Sequence, residues 1–210
     1  YATAFTDGIA KEAIKEIFDY LPRAYKNGCN DPEAREHRAH AATRAGIAFA
    51  NAFLGIDHST GHKLGAYHHL PHGVCVSLML DEVRKFNAAE VPSKMGTFPQ
   101  YKYPHTLRRY AEIAEFLGIT GKDDQTKFDK LIAKIDELKT TIELPRTIQE
   151  AGIDEKAFLS TLDERSVAAF NDQCTGTNPR YPLIEEIKEL YLKAFYGEKR
   201  YNKKYAKSGK

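Results

Sequence analysis

Apolar positions recur along this chain at intervals of three and four residues, with no sustained two-residue alternation. That period predicts α-helices almost throughout and no sheet. Ile9, Ala13, Ile14, Ile17 and Leu21 form one stripe, with an end expected at Pro22 and the turn at 26–28. Asn30-Asp31-Pro32-Glu33 has the make-up of a helix start: a capping side chain, proline in the first turn and an early acid. The second half of the long helix that follows, residues 39–54, carries Ala41, Ala42, Ala45, Gly46, Ala48, Ala50 and Ala52. Small residues on nearly every face predict a central core helix hemmed in by neighbours, ended by Gly55. Residues 73–86 read as a buried helix, and residues 87–104, with Pro92, Pro99 and Pro104, as a long connection. Further helices are expected over 106–117, 126–142, 154–170 and 183–195, the last after a turn at 174–180. The expected fold class is all-α, a helical bundle.

Length and composition narrow the class. The 210 residues are 42% hydrophobic and 29% charged, the balance of a soluble globular chain. No apolar run approaches the ~18 residues of a membrane span, so no membrane is expected as a partner. The chain opens on Tyr1 rather than Met and without a signal-peptide pattern, so it is expected to be a fragment or a processed product. Its net charge of +2 hides an uneven distribution. Residues 198–210 carry six basic side chains against Glu198, which leaves the preceding residues at −3. A body of that sign suits nucleic acid poorly. The expected division is a domain over 1–197 and a basic, mobile tail over 198–210. Cys29, Cys75 and Cys174 are odd in number and widely spaced, which argues against a disulfide framework and for the cytoplasm.

Candidate chemistry concentrates in one place. Five of the eight histidines fall within residues 55–73. His58 and His62, four apart, share one face of a helix. His72 follows Pro71, which stiffens the approach, and precedes Gly73, which removes bulk beside the ring, so a loop can return it towards that face. Neutral imidazole is a common ligand of divalent metals. The spacing alone also fits exposed histidines, and composition leaves both readings open. His68 and His69 are adjacent and diverge; His37, His40 and His105 read as structural or solvent-facing. Two or three histidines do not complete a catalytic site, so further ligands are expected from elsewhere in the fold or from upstream of Tyr1. A zinc hydrolase is disfavoured, because Ser59, Thr60 and Gly61 offer no general base beside the first histidine.

The pattern His58-x-x-x-His62, then Leu64-Gly65, then Pro71-His72-Gly73 resembles the signature of the iron-containing (group III) alcohol dehydrogenases. Residues 45–55, 108–114 and 172–182 resemble the alcohol dehydrogenase part of the bifunctional aldehyde/alcohol dehydrogenases, and the likeness extends from Tyr1 to about Gly197. The resemblance implies the helical, C-terminal metal-binding domain of a two-domain dehydrogenase whose other domain binds NAD. It implies Fe²⁺, or Zn²⁺ in some members, held by one Asp and three His, of which His58 and His72 are two. The other two, four residues apart on a helix, would sit just before Tyr1. His62 would lie beside nicotinamide and substrate, binding the cofactor or relaying the hydroxyl proton, and Cys174 would lie near the substrate pocket. The implied reaction interconverts a primary alcohol, ethanol foremost, and its aldehyde. This chain alone would be inactive and hold metal poorly. Relatives form homo-oligomers and helical filaments, so a self-associating module without catalysis is the competing reading.

Overall fold

The computed structural model describes residues 1–89 and 105–205. These residues form ten α-helices and two short 3-10 turns, with no strand among them. Most of the connection expected over 87–104 lies outside the described residues, as do residues 206–210. The helices sort into two compact units, Tyr1–Phe53 with Leu107–Glu143 and Leu54–Thr106 with Leu144–Lys210.

The first unit is built on a helical hairpin. Helix α1 (Ala4–Asn27) opens with a reciprocal cap, in which the Thr6 backbone N–H donates to Thr3 Oγ1 at 3.2 Å and the Thr3 N–H to Thr6 Oγ1 at 2.9 Å. It does not stop at Pro22 but runs through it to Gly28, where φ is +53°. A proline removes one N–H from the helical ladder; neighbouring turns carry the helix over it. Helix α2 (Pro32–Ala52) starts as expected, with Asp31 accepting from the Ala34 N–H at 3.1 Å. The hairpin closes through small residues seven apart: Ala34, Ala41 and Ala48 on α2, Thr6 and Ala13 on α1. A seven-residue repeat keeps one seam facing its partner over several turns. This corrects the expectation of a helix enclosed on all sides. Only the alanine seam of α2 is buried, and Ile47, Phe49 and Phe53 are 45%, 44% and 54% exposed. The small residues serve close approach on one face. Helices α5 (Thr106–Phe116) and α6 (Asp124–Thr141, capped by Asp123) complete the unit, with Tyr110 and Phe128 stacked 5.3 Å apart.

The second unit holds the larger core. Helices α3 (Ile56–His68) and α4 (His72–Ala88) form a tight hairpin. The turn between them places His69 in the left-handed region at φ 55°, and the His69 N–H donates to the Gly65 carbonyl at 2.8 Å. The 154–170 stretch is not one helix: it breaks at Thr161 into α7 (Glu155–Ser160), capped by Asp154, and α8 (Leu162–Phe170). Helix α9 (Ile184–Tyr196) buries Ile187, Leu190, Tyr191, Ala194 and Phe195 against α4 and α8. The mobile tail expected from residue 198 is instead helical at its start, as α10 (Glu198–Tyr205). Its aromatic residues explain the difference: Tyr201 and Tyr205 pack against the core cluster, Tyr205 near Tyr196, and Lys204 binds Glu155 at 2.6 Å.

A guanidinium lies inside this core. Arg165 is fully buried, sandwiched between the rings of Phe158 (4.4 Å) and Tyr191 (4.5 Å). Its Nη1 is 2.7 Å from His68 Nε2 and 2.7 Å from Thr161 Oγ1. Arginine can only donate, so Nε2 must accept, and His68 is held neutral with its proton on Nδ1. Burial first, and then the Arg165 charge, push the His68 pKa below its ordinary 6.5. A histidine kept neutral by folding contributes stability that is fully present above the unfolded value and is lost as pH falls from there towards the folded value. The urea midpoint is therefore expected to drop on acidification through 6.5, and His68→Gln, which keeps a neutral acceptor, is expected to flatten that drop. Equal pH slopes for the two proteins would show that His68 contributes nothing to it.

Candidate metal centre

His58 and His62 lie one turn apart on α3, and His72 is the first residue of α4. His72 thus comes from a helix start and not from a loop. The hairpin geometry follows from two glycines. A Cβ on Gly61 would lie 3.0 Å from Val76 Cγ2 and 3.2 Å from the Val76 backbone nitrogen, and one on Gly65 would lie 3.2 Å from the Leu70 carbonyl oxygen. Both distances are tighter than most side-chain contacts, so a Cβ at either position would push its neighbour aside by a few tenths of an ångström, and glycine lets α3 and α4 run this near. Gly73 is different: beyond its flanking residues, a Cβ there would meet no atom within 4 Å.

The three rings converge. Centroids are 5.8 Å apart for His58 and His62, 5.5 Å for His58 and His72, and 5.4 Å for His62 and His72. Imidazoles sharing one ion through bonds of about 2.1 Å have ring centres roughly 5 Å apart. The observed centroids are somewhat wider than that, so the three rings face one common region of the hairpin without being drawn in as ligands of one ion. Burial, then repulsion from His62 and His72, pushes the His58 pKa down to about 4. His58 is therefore neutral at physiological pH, the form in which imidazole binds metals.

A polar segment after α8 borders the same helix face. The Asp172 carboxylate accepts from Lys63 Nζ at 2.8 Å and from the Cys174 backbone N–H at 2.9 Å, and lies 3.8 Å from His62 Nδ1. Burial works against its charge, but the bonds from Lys63 and Cys174 outweigh that and hold its carboxyl below the ordinary range. Cys174 is 6% exposed; burial, and next the hydrogen bond and charge of Asp172, push its thiol up to about 11. The structure thus brings His58, His62 and His72 together and sets Cys174 beside His62.

Asn178 fastens the start of α3. Its Oδ1 accepts from the Ile56 N–H at 3.1 Å, and its Nδ2 donates to Asn87 Oδ1 at 2.7 Å and to the Arg180 carbonyl at 2.6 Å. Thr177 Oγ1 donates to the Leu54 carbonyl at 2.5 Å. The fit leaves no room at Gly55, where a Cβ would lie 2.6 Å from Asn178 Oδ1. Asp172 and Asn178 are more than a hundred residues from the histidines they serve, and no periodicity links them. The signals the sequence offers are the family resemblance of residues 172–182 and a polar run, Asn171-Asp172-Gln173, leading into a glycine turn, and neither gives these residues a role.

Helices that present three imidazoles to one another define an all-helical domain built around a histidine centre. Residues 1–195 match the family model described as Fe-containing alcohol dehydrogenase family, C-terminal, and the chain belongs to that family. The aldehyde-alcohol dehydrogenase of Clostridium acetobutylicum is 51% identical over 195 residues, covering 93% of this chain and 23% of that protein. The bifunctional aldehyde-alcohol dehydrogenase of Escherichia coli strain K12 is 48% identical over 198 residues, covering 93% and 22%. Among solved structures, the iron-containing alcohol dehydrogenase of Thermococcus thioreducens aligns with a TM-score of 0.76 at 37% identity, over 94% of this chain and 46% of that one. The chain thus spans under a quarter of these two curated relatives and under half of that solved chain.

Removing the Asn178 side chain leaves the Ile56 N–H and the Asn87 amide without their buried partner, at a cost of about 1–3 kcal/mol. Asn178→Ala is expected to lower the urea midpoint accordingly, and an unchanged midpoint would remove Asn178 as the clamp of α3.

Proposed function

We propose that this chain is the helical, metal-holding half of an enzyme that interconverts a primary alcohol, ethanol foremost, and its aldehyde with NAD, and that it is inactive by itself. The observation that carries this is the convergence of three imidazoles at 5.4–5.8 Å on a close-packed helical hairpin. His58 and His72 would hold the divalent ion, Fe²⁺ by the family description, with further ligands from outside the pair. When bound, the ion would supply the Lewis acidity that favours an alkoxide over an alcohol, and the nicotinamide would supply the hydride acceptor.

The chain's own residues do the rest. The α3–α4 hairpin holds His58 and His72 on regular structure, which keeps their positions narrow. His62 is half exposed, with Nδ1 3.8 Å from the Asp172 carboxylate. In this reading it would take the hydroxyl proton, and the nearby carboxylate would stabilise the imidazolium that results. Lys63, bonded to the same carboxylate, limits that effect. Cys174, buried beside this pair, lines the side on which the substrate would lie. The named relatives are dehydrogenases, which favours this reading over a self-associating module without catalysis.

In the intact enzyme, His58→Ala and His72→Ala are expected to lose both iron and turnover. His62→Ala is expected to keep iron and to lose about 10²–10⁴-fold in rate, the usual contribution of a positioned proton-transfer group. Metal content of the purified variants decides the matter: unchanged iron in both ligand variants would overturn the assignment.

A further inference from the structure

His62 belongs to two groups of side chains. On one side are His58 and His72. The other group is Asp172 and Cys174, whose carboxylate oxygen and thiol sulfur lie with a His62 ring nitrogen so that all three donors are within 4.8 Å of one another. Around a tetrahedral ion with bonds of about 2.0–2.3 Å, donors sit roughly 3.3–3.8 Å apart. A contraction of about 1 Å would therefore close the three onto one cation. The donor set is one thiolate, one imidazole and one carboxylate, and it suits soft or borderline ions; hard ions such as Mg²⁺ and Ca²⁺ prefer oxygen alone.

We propose that His62, Asp172 and Cys174 form a second cation site, selective for thiophilic divalent ions such as Zn²⁺ and Cd²⁺, whose occupation takes His62 out of proton transfer. The inhibitory half rests on the role given to His62 above; the binding half does not. Cys174 would bind as the thiolate, releasing its proton to solvent. The site has a built-in competitor. Lys63 Nζ sits 2.8 Å from Asp172 Oδ2, and its side chain is 26% exposed, so the ammonium can swing to water as a cation enters. The carboxylate is neutralised in either state, which makes the exchange one cation for another. The Lys63 contact therefore sets the threshold: the site fills when thiophilic ions are abundant enough to displace that side chain from Asp172.

The test is titration of the protein with Cd²⁺, read by the ultraviolet thiolate-to-cadmium charge-transfer band. The band is expected to appear with one-thiolate intensity and to persist in the His58→Ala/His72→Ala double variant, which lacks the first centre. It is expected to vanish in Cys174→Ser and in Cys174→Ala while surviving in Cys29→Ser and Cys75→Ser. Asp172→Asn is expected to weaken Cd²⁺ by at least roughly tenfold, and Lys63→Met to tighten it. A band that survives loss of Cys174, or that disappears with His58 and His72, would overturn the proposal. Iron content, measured on the same samples, keeps the outcome separate from that of the first centre. With the intact enzyme, Zn²⁺ inhibition is expected to be relieved in Cys174→Ser; undiminished inhibition would overturn the inhibitory half alone.

Discussion

Everything at the histidine centre depends on how closely α3 and α4 run side by side. His72 follows His58 by fourteen residues, and its ring can meet those of His58 and His62 only if the chain reverses tightly and the second helix lies almost against the first. Gly61 and Gly65 permit that contact, since a Cβ at either would press on Val76 or on the Leu70 carbonyl. The outer side of α3 is fixed independently: the Tyr191 hydroxyl donates to the Thr60 carbonyl at 2.8 Å, and Asn178 holds the Ile56 N–H. Interiors are close-packed and resist small shifts, so a centre set on such a hairpin inherits the stiffness of the core beneath it.

Much of this was legible in the residues. A four-residue spacing put His58 and His62 on one face, the caps at Asp31 and Asp154 stood where helices begin, and the helical period pervades the chain. What was not legible shares a cause: packing decided it. Pro22 stays inside α1 because a local rule yielded to the rest of a long helix. The alanines of α2 read as all-round burial, whereas only those seven apart are covered. Thr161 divides a continuous apolar pattern into two helices. The basic run after 197 presents its lysines in sequence, while Tyr201 and Tyr205 govern where its first part goes. Asp172 and Asn178 meet α3 only through the fold, and spacing cannot reveal a contact across more than a hundred residues.

The two units differ in what their surfaces and interiors carry. In the first, a seam of alanine brings two helices together and leaves phenylalanines outside. In the second, aromatic rings fill the core, with Phe158 and Phe195 stacked 4.2 Å apart. His58, His62 and His72 sit in the second, on the scaffold that carries the core cluster. Such a division suits a domain in which one part must hold side chains still, and placement on regular elements is how proteins achieve that precision.

The guanidinium of Arg165 has a wider consequence. Its charge lies between two π faces, and its Nη1 reaches neutral acceptors in the interior. Mobile ions reach such a place poorly and screen it little. The second unit thus contains an electrostatic attachment that should hold as well in brine as in dilute buffer, unlike the exposed ion pairs that decorate both units.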